Sequence, residues 1–322
     1  GIRDQPRSRG LGDVYKRQDL PGGLAPSVVS IGNFDGVHLG HLQLIKTLCG
    51  QADRYDLPPT EMTFDPHPPE YFSPHPAPPR LSSFREKLTY LEQAGIHNVV
   101  CIRFDQRFSQ TSATDFIQEY LVKGLGARFV VVGDDFRFGL NRKGDLALLR
   151  SEGEIAGFGV ASVGTFVVDG QRVSSSSIRR VIEESDFGLA ERLLGRPYGI
   201  SGRVIYGDQR GRTWGFPTAN IAQRQKNIPV RGVNAVTVKR NHSDTIHGVV
   251  NIGFRPTIGG EKLLLEVHLL DFDQDIYGER LRVEFRRKIR GEARFESFDV
   301  LRSQIAKDVE ETRKWLQQEY PL

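Results

Sequence analysis

Two periodicities alternate along the first half of the chain. Short apolar or β-branched runs, typical of strands, occupy residues 27–31, 99–102 and 129–132. Apolar residues at helical spacing occupy residues 41–52, 84–95 and 114–122. Because strand-like and helix-like segments alternate, the pattern predicts a doubly wound parallel α/β sheet that extends to about residue 185.

A proline-rich stretch interrupts this alternation at residues 58–79. Proline fixes φ and removes a backbone N–H, so this stretch cannot form a long helix or an inner strand. We expect the end of a strand followed by an extended surface loop.

The pattern of apolar and turn-forming residues changes after residue 185. Five short strand-like runs, separated by turn residues, occupy residues 202–205, 232–238, 248–252, 263–270 and 281–285. Close spacing of this kind favours a small antiparallel sandwich or barrel, and we take the β-barrel as the prediction. A closing helix is expected over residues 298–318, with Ser297 as its N-cap. Its apolar stripe comprises Leu301, Ile305, Val309 and Leu316.

Composition is that of a globular protein with about two domains. The 322 residues are 38% hydrophobic and 26% charged. No apolar run approaches the roughly 20 residues that span a bilayer, and the N-terminus lacks signal-peptide features, so we expect a cytoplasmic protein without a membrane partner. Two cysteines, Cys49 and Cys101, are too few for a disulfide framework or a zinc site. Nothing in the sequence indicates a particular oligomeric state.

Residues 1–18 read as a cloning or assembly scar rather than native sequence. They have no periodicity, and their five basic and two acidic residues supply 5 − 2 = +3 of the formal net charge of +4. The remaining charge of about +1 does not favour a nucleic-acid partner. A native basic arm is the alternative interpretation. The expected domains are residues 19–185 and 186–322.

The first chemical motif is His-Leu-Gly-His at residues 38–41, where a helix begins after a strand and a glycine-containing loop. Helix N-termini attract phosphate through free N–H groups and a partial positive charge. Two imidazoles at that terminus can stabilise charge on a phosphorus under attack, as adenylyl transfer requires. The alternatives are a metal-binding pair, for which no third ligand is evident, or histidines that only cap the helix or lie on the surface.

The second motif is a glycine-rich segment at residues 202–220. The chain has no Walker A pattern, so a kinase here would not belong to the P-loop class. Flexible glycines, Arg212 and the Thr218 hydroxyl can bind phosphate and Mg²⁺. An ordinary glycine-rich turn before a strand is the alternative.

These motifs resemble those of the bacterial bifunctional riboflavin kinase/FMN adenylyltransferases. The matching blocks are residues 32–41, 63–68, 132–139, 173–179, 211–220, 251–257, 266–271 and 283–290. They cover the chain from about residue 19 to the C-terminus. The resemblance implies that the chain phosphorylates riboflavin to FMN with ATP and then transfers AMP from a second ATP to FMN, giving FAD and pyrophosphate, with Mg²⁺ in both steps.

The resemblance also implies residue roles in the N-terminal domain. His38 and His41 would be catalytic and bind the ATP phosphates, and Asp135 would line the FMN side. The other ATP-binding residues would be Gly32, Asn33, Phe34, Asp35, Gly40, Ser174, Ser175 and Arg179. Serine hydroxyls followed by an arginine fork suit phosphate, although a polar loop with a solvated arginine is the alternative.

In the C-terminal domain the resemblance implies an ATP site, a metal site and a base. Gly207, Gly211 and Arg212 would bind ATP, Thr218 and Asn220 would hold Mg²⁺, and Arg290 would bind flavin. Glu284 would be the general base for the riboflavin hydroxyl. The strand pattern places Glu284 opposite Leu281, Val283 and Phe285. Without the resemblance, a carboxylate between Arg282 and Arg286 is more often a solvated ion pair.

Asn234 replaces the tyrosine that the family usually carries, which predicts weaker packing or substrate binding.

Two other interpretations of the function remain open. The chain could be a nucleotidyltransferase for another phosphate acceptor with an accessory barrel. It could also be a non-catalytic flavin-binding regulator, although both catalytic residue sets are present. A class I aminoacyl-tRNA synthetase is disfavoured because no Lys-Met-Ser-Lys-Ser block occurs.

Overall fold

Internal contacts divide the chain into two compact units in this computed structural model. The first comprises residues 1–78 and 84–174, and the second comprises residues 79–83 and 175–322. This division falls about ten residues before the expected boundary. The structure describes residues 13–16, 25–73, 77–207, 215–223, 225, 227–240, 244–257 and 260–321. Within those residues, no helix is long and apolar enough to cross a membrane.

A parallel sheet with helices forms the first unit. Its strands are β1 (Asp13–Lys16), β2 (Ser27–Ile31), β3 (Pro59–Asp65), β4 (Asn98–Arg103), β5 (Ala127–Gly133) and β6 (Gly159–Val163). The helices are α1 (Leu39–Tyr55), α2 (Pro68–Phe72), α3 (Phe84–Gln93), α4 (Gln106–Ser109), α5 (Ala113–Asp115), a π-helix (Phe116–Val122), a 3-10 turn (Leu140–Arg142) and α6 (Leu146–Ala156). A hairpin of β7 (Val167–Val168) and β8 (Gln171–Arg172) completes the unit. The strand order β1-β4-β3-β2-β5-β6, parallel throughout, confirms the doubly wound prediction.

The edge strand β1 lies within the segment that the sequence analysis set aside. Asp13 to Lys16 pair in parallel with Asn98 to Cys101 of β4. The open edge of β4 offers the unpaired backbone groups that such pairing satisfies. The non-native origin of residues 1–18 stays a prediction.

The proline-rich stretch contains an inner strand, contrary to the sequence expectation. β3 lies between β2 and β4 and pairs with both. The prolines do not prevent this pairing because Pro59 is the first residue of the strand and Pro66 follows its last residue. Pro68 then starts α2 at a position where a helix tolerates proline.

Both faces of the sheet are buried under helices, which is why its strands read as nearly continuous apolar runs. Glu61 of β3 is the exception in this core. It is fully buried, and neither carboxylate oxygen has a hydrogen-bond partner among the described residues. Burial raises the pKa of the Glu61 carboxyl well above its usual value, and the Lys87 ammonium offsets only part of that shift.

This raised pKa predicts a stability that falls as pH rises. The folded state holds the Glu61 proton more tightly than the unfolded chain does. The contribution of this protonated carboxyl to the free energy of unfolding is therefore complete below pH 4.5 and is lost as pH rises through the pKa of the folded state. Glu61→Gln cannot titrate, and we expect it to gain about 1–3 kcal/mol over the parent chain by neutral pH. Denaturant unfolding from acidic to mildly alkaline pH measures the difference. The matched control is Glu154→Gln, at an exposed position of α6. Its stability relative to the parent chain should not change with pH in this way.

The second unit is built on a closed antiparallel barrel, as predicted. Its elements are α7 (Ser175–Glu183), α8 (Phe187–Leu194), β9 (Gly199–Ile205), β10 (Ala219–Ile221), β11 (Gly232–Arg240), β12 (Asp244–Thr257), β13 (Gly260–Leu269), β14 (Arg280–Arg290) and α9 (Phe298–Glu319). The barrel closes in the order β10-β13-β12-β11-β14-β9. The Ser297 side chain accepts from the backbone N–H of Val300, which confirms the predicted N-cap of α9.

Candidate active sites

The loop after β2 lies at the switch point of the sheet. Chain order moves from β2 to β3 on one side and later to β5 on the other. The loops that follow β2 and β5 therefore flank the same crevice beyond the carboxyl ends of the strands, which is where open α/β sheets bind ligands. The predicted residues Asp35 and Asp135 belong to these two loops.

His38 and His41 form a reciprocal cap at the start of α1. The His38 Nδ1 atom accepts from the His41 backbone N–H, and the His41 Nδ1 atom accepts from the His38 backbone N–H, each at 3.3 Å. The two rings stack with centroids 3.6 Å apart. Because each Nδ1 accepts a hydrogen bond, each neutral ring carries its proton on Nε2. The cap thus gives both histidines a defined Nε2–H donor.

Packing around this cap leaves little space beside two predicted glycines, Gly32 and Gly40. A Cβ on Gly32 would lie 2.7 Å from the Phe34 ring, and one on Gly40 would lie 3.3 Å from the His38 ring. The carbonyl of Val173 also approaches Gly40, which places the adjoining Ser174 next to the start of α1. The Phe34 ring in turn lies 4.7 Å from the His41 ring, between centroids.

The other residues predicted for this reaction are divided between the two units. Asp135, on the loop after β5, forms an ion pair with Arg172 of β8 within the first unit. Within the second unit, Ser175 is the first residue of α7, and the Arg179 Nε atom donates to the Pro79 carbonyl at 2.8 Å. Within the first unit, Gly40 and the segment that ends at Ser174 lie side by side.

An elongated cavity of about 520 Å³ lies in the second unit, between the outer face of the barrel and α9. Its polar lining includes Thr218, Asn220, Asn251, Glu266, Arg290 and Asp308. Its apolar lining includes Val233, Val249, Leu264, Leu301, Ile305 and Val309. Three of the predicted site residues, Thr218, Asn220 and Arg290, are thus in one cavity with most of the predicted apolar stripe of α9.

Strand register places an acidic residue beside Asn220, one of the two predicted metal ligands. Asn220 of β10 and Asn251 of β12 both pair directly with Glu266 of β13. Directly opposite residues on one face of a sheet have Cβ atoms about 5 Å apart. On β13, Leu264, Glu266 and His268 all face the cavity, at the two-residue period of a strand.

Two further contacts fix the segment before β10. The His268 Nδ1 atom lies 2.8 Å from the Pro217 carbonyl oxygen, which holds the residue before Thr218 against β13. A Cβ on Gly207 would lie only 2.2 Å from the Asn220 Nδ2 atom. Gly207 therefore lies against the Asn220 side chain, and its role in ATP binding stays a prediction. Gly211 and Arg212, the other predicted ATP-binding residues, lie outside the described residues.

Arg290 lines the cavity with its guanidinium already oriented. Its Nε atom donates to the Asp308 Oδ2 atom at 2.9 Å, and the group lies 5.4 Å from the centre of the Phe295 ring. Gln304 donates to the other Asp308 oxygen at 2.8 Å. This network ties the end of β14 to α9, so Arg290 is held at the cavity wall.

Glu284 does not line this cavity, which contradicts its predicted position in the site. Its carboxylate accepts from Arg286 at 2.9 Å and from Arg282 at 3.2 Å, and the Lys239 Nζ atom lies 3.5 Å away. The Thr237 hydroxyl donates to it as well, at 3.4 Å. A buried carboxylate with these cationic partners is a structural ion pair, the alternative left open by the sequence.

Sequence reasoning gave no role to several cavity residues, among them Glu266 and Asn251. Both belong to blocks that carry the family resemblance. The sequence shows that Glu266 alternates with buried Leu265 and Asn251 with buried Ile252. Alternation alone does not indicate which face of a barrel strand carries the site.

Asn234, which replaces the usual family tyrosine, does not line the cavity either. It is fully buried, and its Nδ2 atom donates to the Gly232 carbonyl at 3.1 Å. Its neighbour Val233 faces the cavity instead. The substitution therefore acts on the packing of β11 rather than on the cavity wall.

Comparisons with known proteins identify the family of each half of the chain. The family model described as FAD synthetase matches residues 22–177, and that described as riboflavin kinase matches residues 194–316. The chain is 48% identical over 281 residues to the bifunctional riboflavin kinase/FMN adenylyltransferase of Escherichia coli (strain K12), covering 87% of this chain and 90% of that protein. It is 47% identical over 282 residues to the enzyme of that name from Haemophilus influenzae, covering 88% and 92%.

A solved structure is similar over nearly the whole length. It is a crystal structure described as a macrolide-efflux protein from Streptococcus pneumoniae, with a TM-score of 0.80 and 30% sequence identity. The match covers 94% of this chain and 99% of that one.

Proposed function

Because this chain belongs to the bifunctional riboflavin kinase/FMN adenylyltransferase family, we propose that adenylyl transfer takes place around His38 and His41 and riboflavin phosphorylation beside Glu266. The chain is an enzyme of flavin cofactor biosynthesis with both transferase activities, and riboflavin, FMN and ATP are its substrates. The assignment of the kinase site depends on one observation. Asn220 pairs with Glu266 in the cavity that Thr218 also lines.

In the kinase step, Glu266 replaces Glu284 as the proposed general base. The riboflavin 5′-hydroxyl attacks the γ-phosphorus of ATP, its proton passes to the Glu266 carboxylate, and ADP leaves. Arg290 and the apolar cavity wall orient the flavin. Phosphoryl transfer depends mainly on positioning and charge stabilisation, so one carboxylate within reach of the hydroxyl is sufficient.

In the adenylyl step, the two histidines stabilise charge and need not remove a proton. The FMN phosphate is already a nucleophile, and its oxygen attacks the α-phosphorus of ATP while pyrophosphate leaves. The Nε2–H donors of His38 and His41 and the N-terminus of α1 stabilise the negative charge that develops there. Asp135 and Ser174, on neighbouring loops, are proposed to contact substrate, and the proposal extends to Ser175 and Arg179 of the second unit.

Mg²⁺ fits the donor set at the kinase site. Thr218 offers a hydroxyl and Asn220 an amide oxygen, and Mg²⁺ takes such hard oxygen ligands together with waters and substrate phosphates. Bound there, Mg²⁺ would neutralise charge on the phosphates of ATP. The described residues contain no cluster of three or more His, Cys, Asp or Glu that could hold a metal without substrate. Since both reactions consume ATP, we also propose a cytoplasmic location.

Thr218→Val tests the metal assignment. Because the hydroxyl is a proposed ligand, we expect the Mg²⁺ requirement of riboflavin phosphorylation to rise about tenfold, while FMN adenylylation is unchanged. Initial rates measured across a Mg²⁺ titration give the result. The matched control is Thr89→Val, whose hydroxyl donates only within α3 to the Arg85 carbonyl. An unchanged Mg²⁺ dependence in Thr218→Val would remove Thr218 from the metal site.

A further inference from the structure

Lys87 of α3 is a buried cation with no role in the reactions described above. Only 2% of the Lys87 surface is exposed to solvent. The Nζ atom donates to the Asn33 carbonyl at 3.0 Å and to the Thr63 hydroxyl at 2.9 Å, and it lies 3.4 Å from the His67 Nε2 atom. Burying a charged amine is costly unless it is well paired, so these partners are what keeps Lys87 inside the unit.

The carbonyl that Lys87 holds belongs to the nucleotide loop itself. Asn33 follows Gly32, whose N–H donates to the Met62 carbonyl at 3.0 Å, and the Thr63 hydroxyl also donates to the Asn33 carbonyl, at 3.4 Å. Lys87 thus joins three segments: the loop after β2, the end of β3 and the start of α2 at His67.

This loop requires external support because its backbone is strained. Phe34 has φ of 46° and Val37 has φ of 39°, in the left-handed region that non-glycine residues disfavour. Such a residue destabilises the fold and persists only where surrounding contacts hold it. The strained segment leads directly into the cap that orients His38 and His41.

We propose that Lys87 is a positioning residue for adenylyl transfer, which fixes the nucleotide loop so that the His38 and His41 donors meet the reacting phosphorus. This inference rests on the proposed function of the first unit. The ammonium donates to the Asn33 carbonyl and the Thr63 hydroxyl inside the unit, so Lys87 acts through the loop rather than on the substrate. The contact between the Lys87 ammonium and the His67 Nε2 atom makes Nε2 an acceptor. A neutral His67 therefore carries its proton on Nδ1, which lies 3.8 Å from the Glu70 carboxylate.

The test separates positioning from binding and from folding. Lys87→Met keeps the length of the apolar stem but removes the ammonium. We expect kcat for FMN adenylylation to fall about 10²-fold, since a displacement of about 1 Å in a reacting geometry has that effect, with KM for ATP changed less than about threefold. Riboflavin phosphorylation should keep its rate. The matched control is Lys46→Met, an exposed lysine of α1, which should leave both reactions unchanged.

Two results would overturn the proposal: a Lys87→Met protein with unchanged kcat, or one that loses activity only through a raised KM. If Lys87→Met does not fold, Lys87→Arg decides, because its planar fork cannot direct three N–H groups at the same three acceptors. A folded Lys87→Arg protein should show kcat reduced about tenfold, and the parental kcat would overturn the proposal. Failure of the proposed function is distinct, since His41→Ala would then form FAD from FMN at the parental rate.

Discussion

Glu266→Gln stops the conversion of riboflavin to FMN and leaves the conversion of FMN to FAD intact. A general base contributes about 10²–10⁴-fold to a rate, and glutamine cannot accept the proton of the riboflavin hydroxyl. The substitution keeps the shape of the side chain, so the pairing of Glu266 with Asn220 and Asn251 should survive. Initial rates with riboflavin, and separately with FMN, measure the two effects in one preparation.

Glu284→Gln is the comparison that distinguishes the two carboxylates. Glu284 forms ion pairs with Arg282 and Arg286 outside the cavity. Loss of its charge should therefore lower the free energy of unfolding by about 3–5 kcal/mol without abolishing riboflavin phosphorylation. Rates measured at a temperature where the variant is folded should match the parent chain. If Glu284→Gln abolishes phosphorylation and Glu266→Gln does not, the base has been assigned to the wrong carboxylate.

His41→Ala has the second-largest expected effect, on the other reaction. It removes an Nε2–H donor at the reacting phosphorus and also one half of the reciprocal cap of α1. We expect FAD formation from FMN to slow about 10²–10³-fold, with about 1 kcal/mol lost from stability through the cap. Riboflavin should still be phosphorylated, so FMN accumulates.

His97→Ala is the matched control for this experiment, because His97 is exposed and its nearest polar contact is the neighbouring Asn98 side chain at 3.1 Å. Chromatography of the flavins over time shows which product accumulates. Parental rates of FAD formation in His41→Ala would contradict the assignment of the histidine pair.

Periodicity predicted most of the fold because each unit buries its strands in a regular way. The apolar run at residues 129–132 became a strand covered on both faces, and the short runs after residue 185 became a barrel. The prediction for β3 was wrong because proline was counted over the whole stretch, although Pro59 and Pro66 only bound the strand.

The sites were less predictable than the fold because they depend on which segments meet. The His-x-Gly-His pattern is local, so its helix-start position was evident from the sequence. Glu266 could not be preferred over Glu284 in the same way, since both alternate with apolar residues and only strand register places one of them beside Asn220. Lys87 lies 54 positions from Asn33, and no local pattern connects them.

The proposed mechanism requires one chain with two separate sites that act in sequence. Mixing the Glu266→Gln and His41→Ala proteins with riboflavin, ATP and Mg²⁺ tests this requirement. Neither variant alone should convert riboflavin to FAD at the parental rate, but the mixture should accumulate FAD, because FMN made by one protein is adenylylated by the other. A mixture that accumulates FMN but no FAD, although the Glu266→Gln protein converts supplied FMN, would contradict the account.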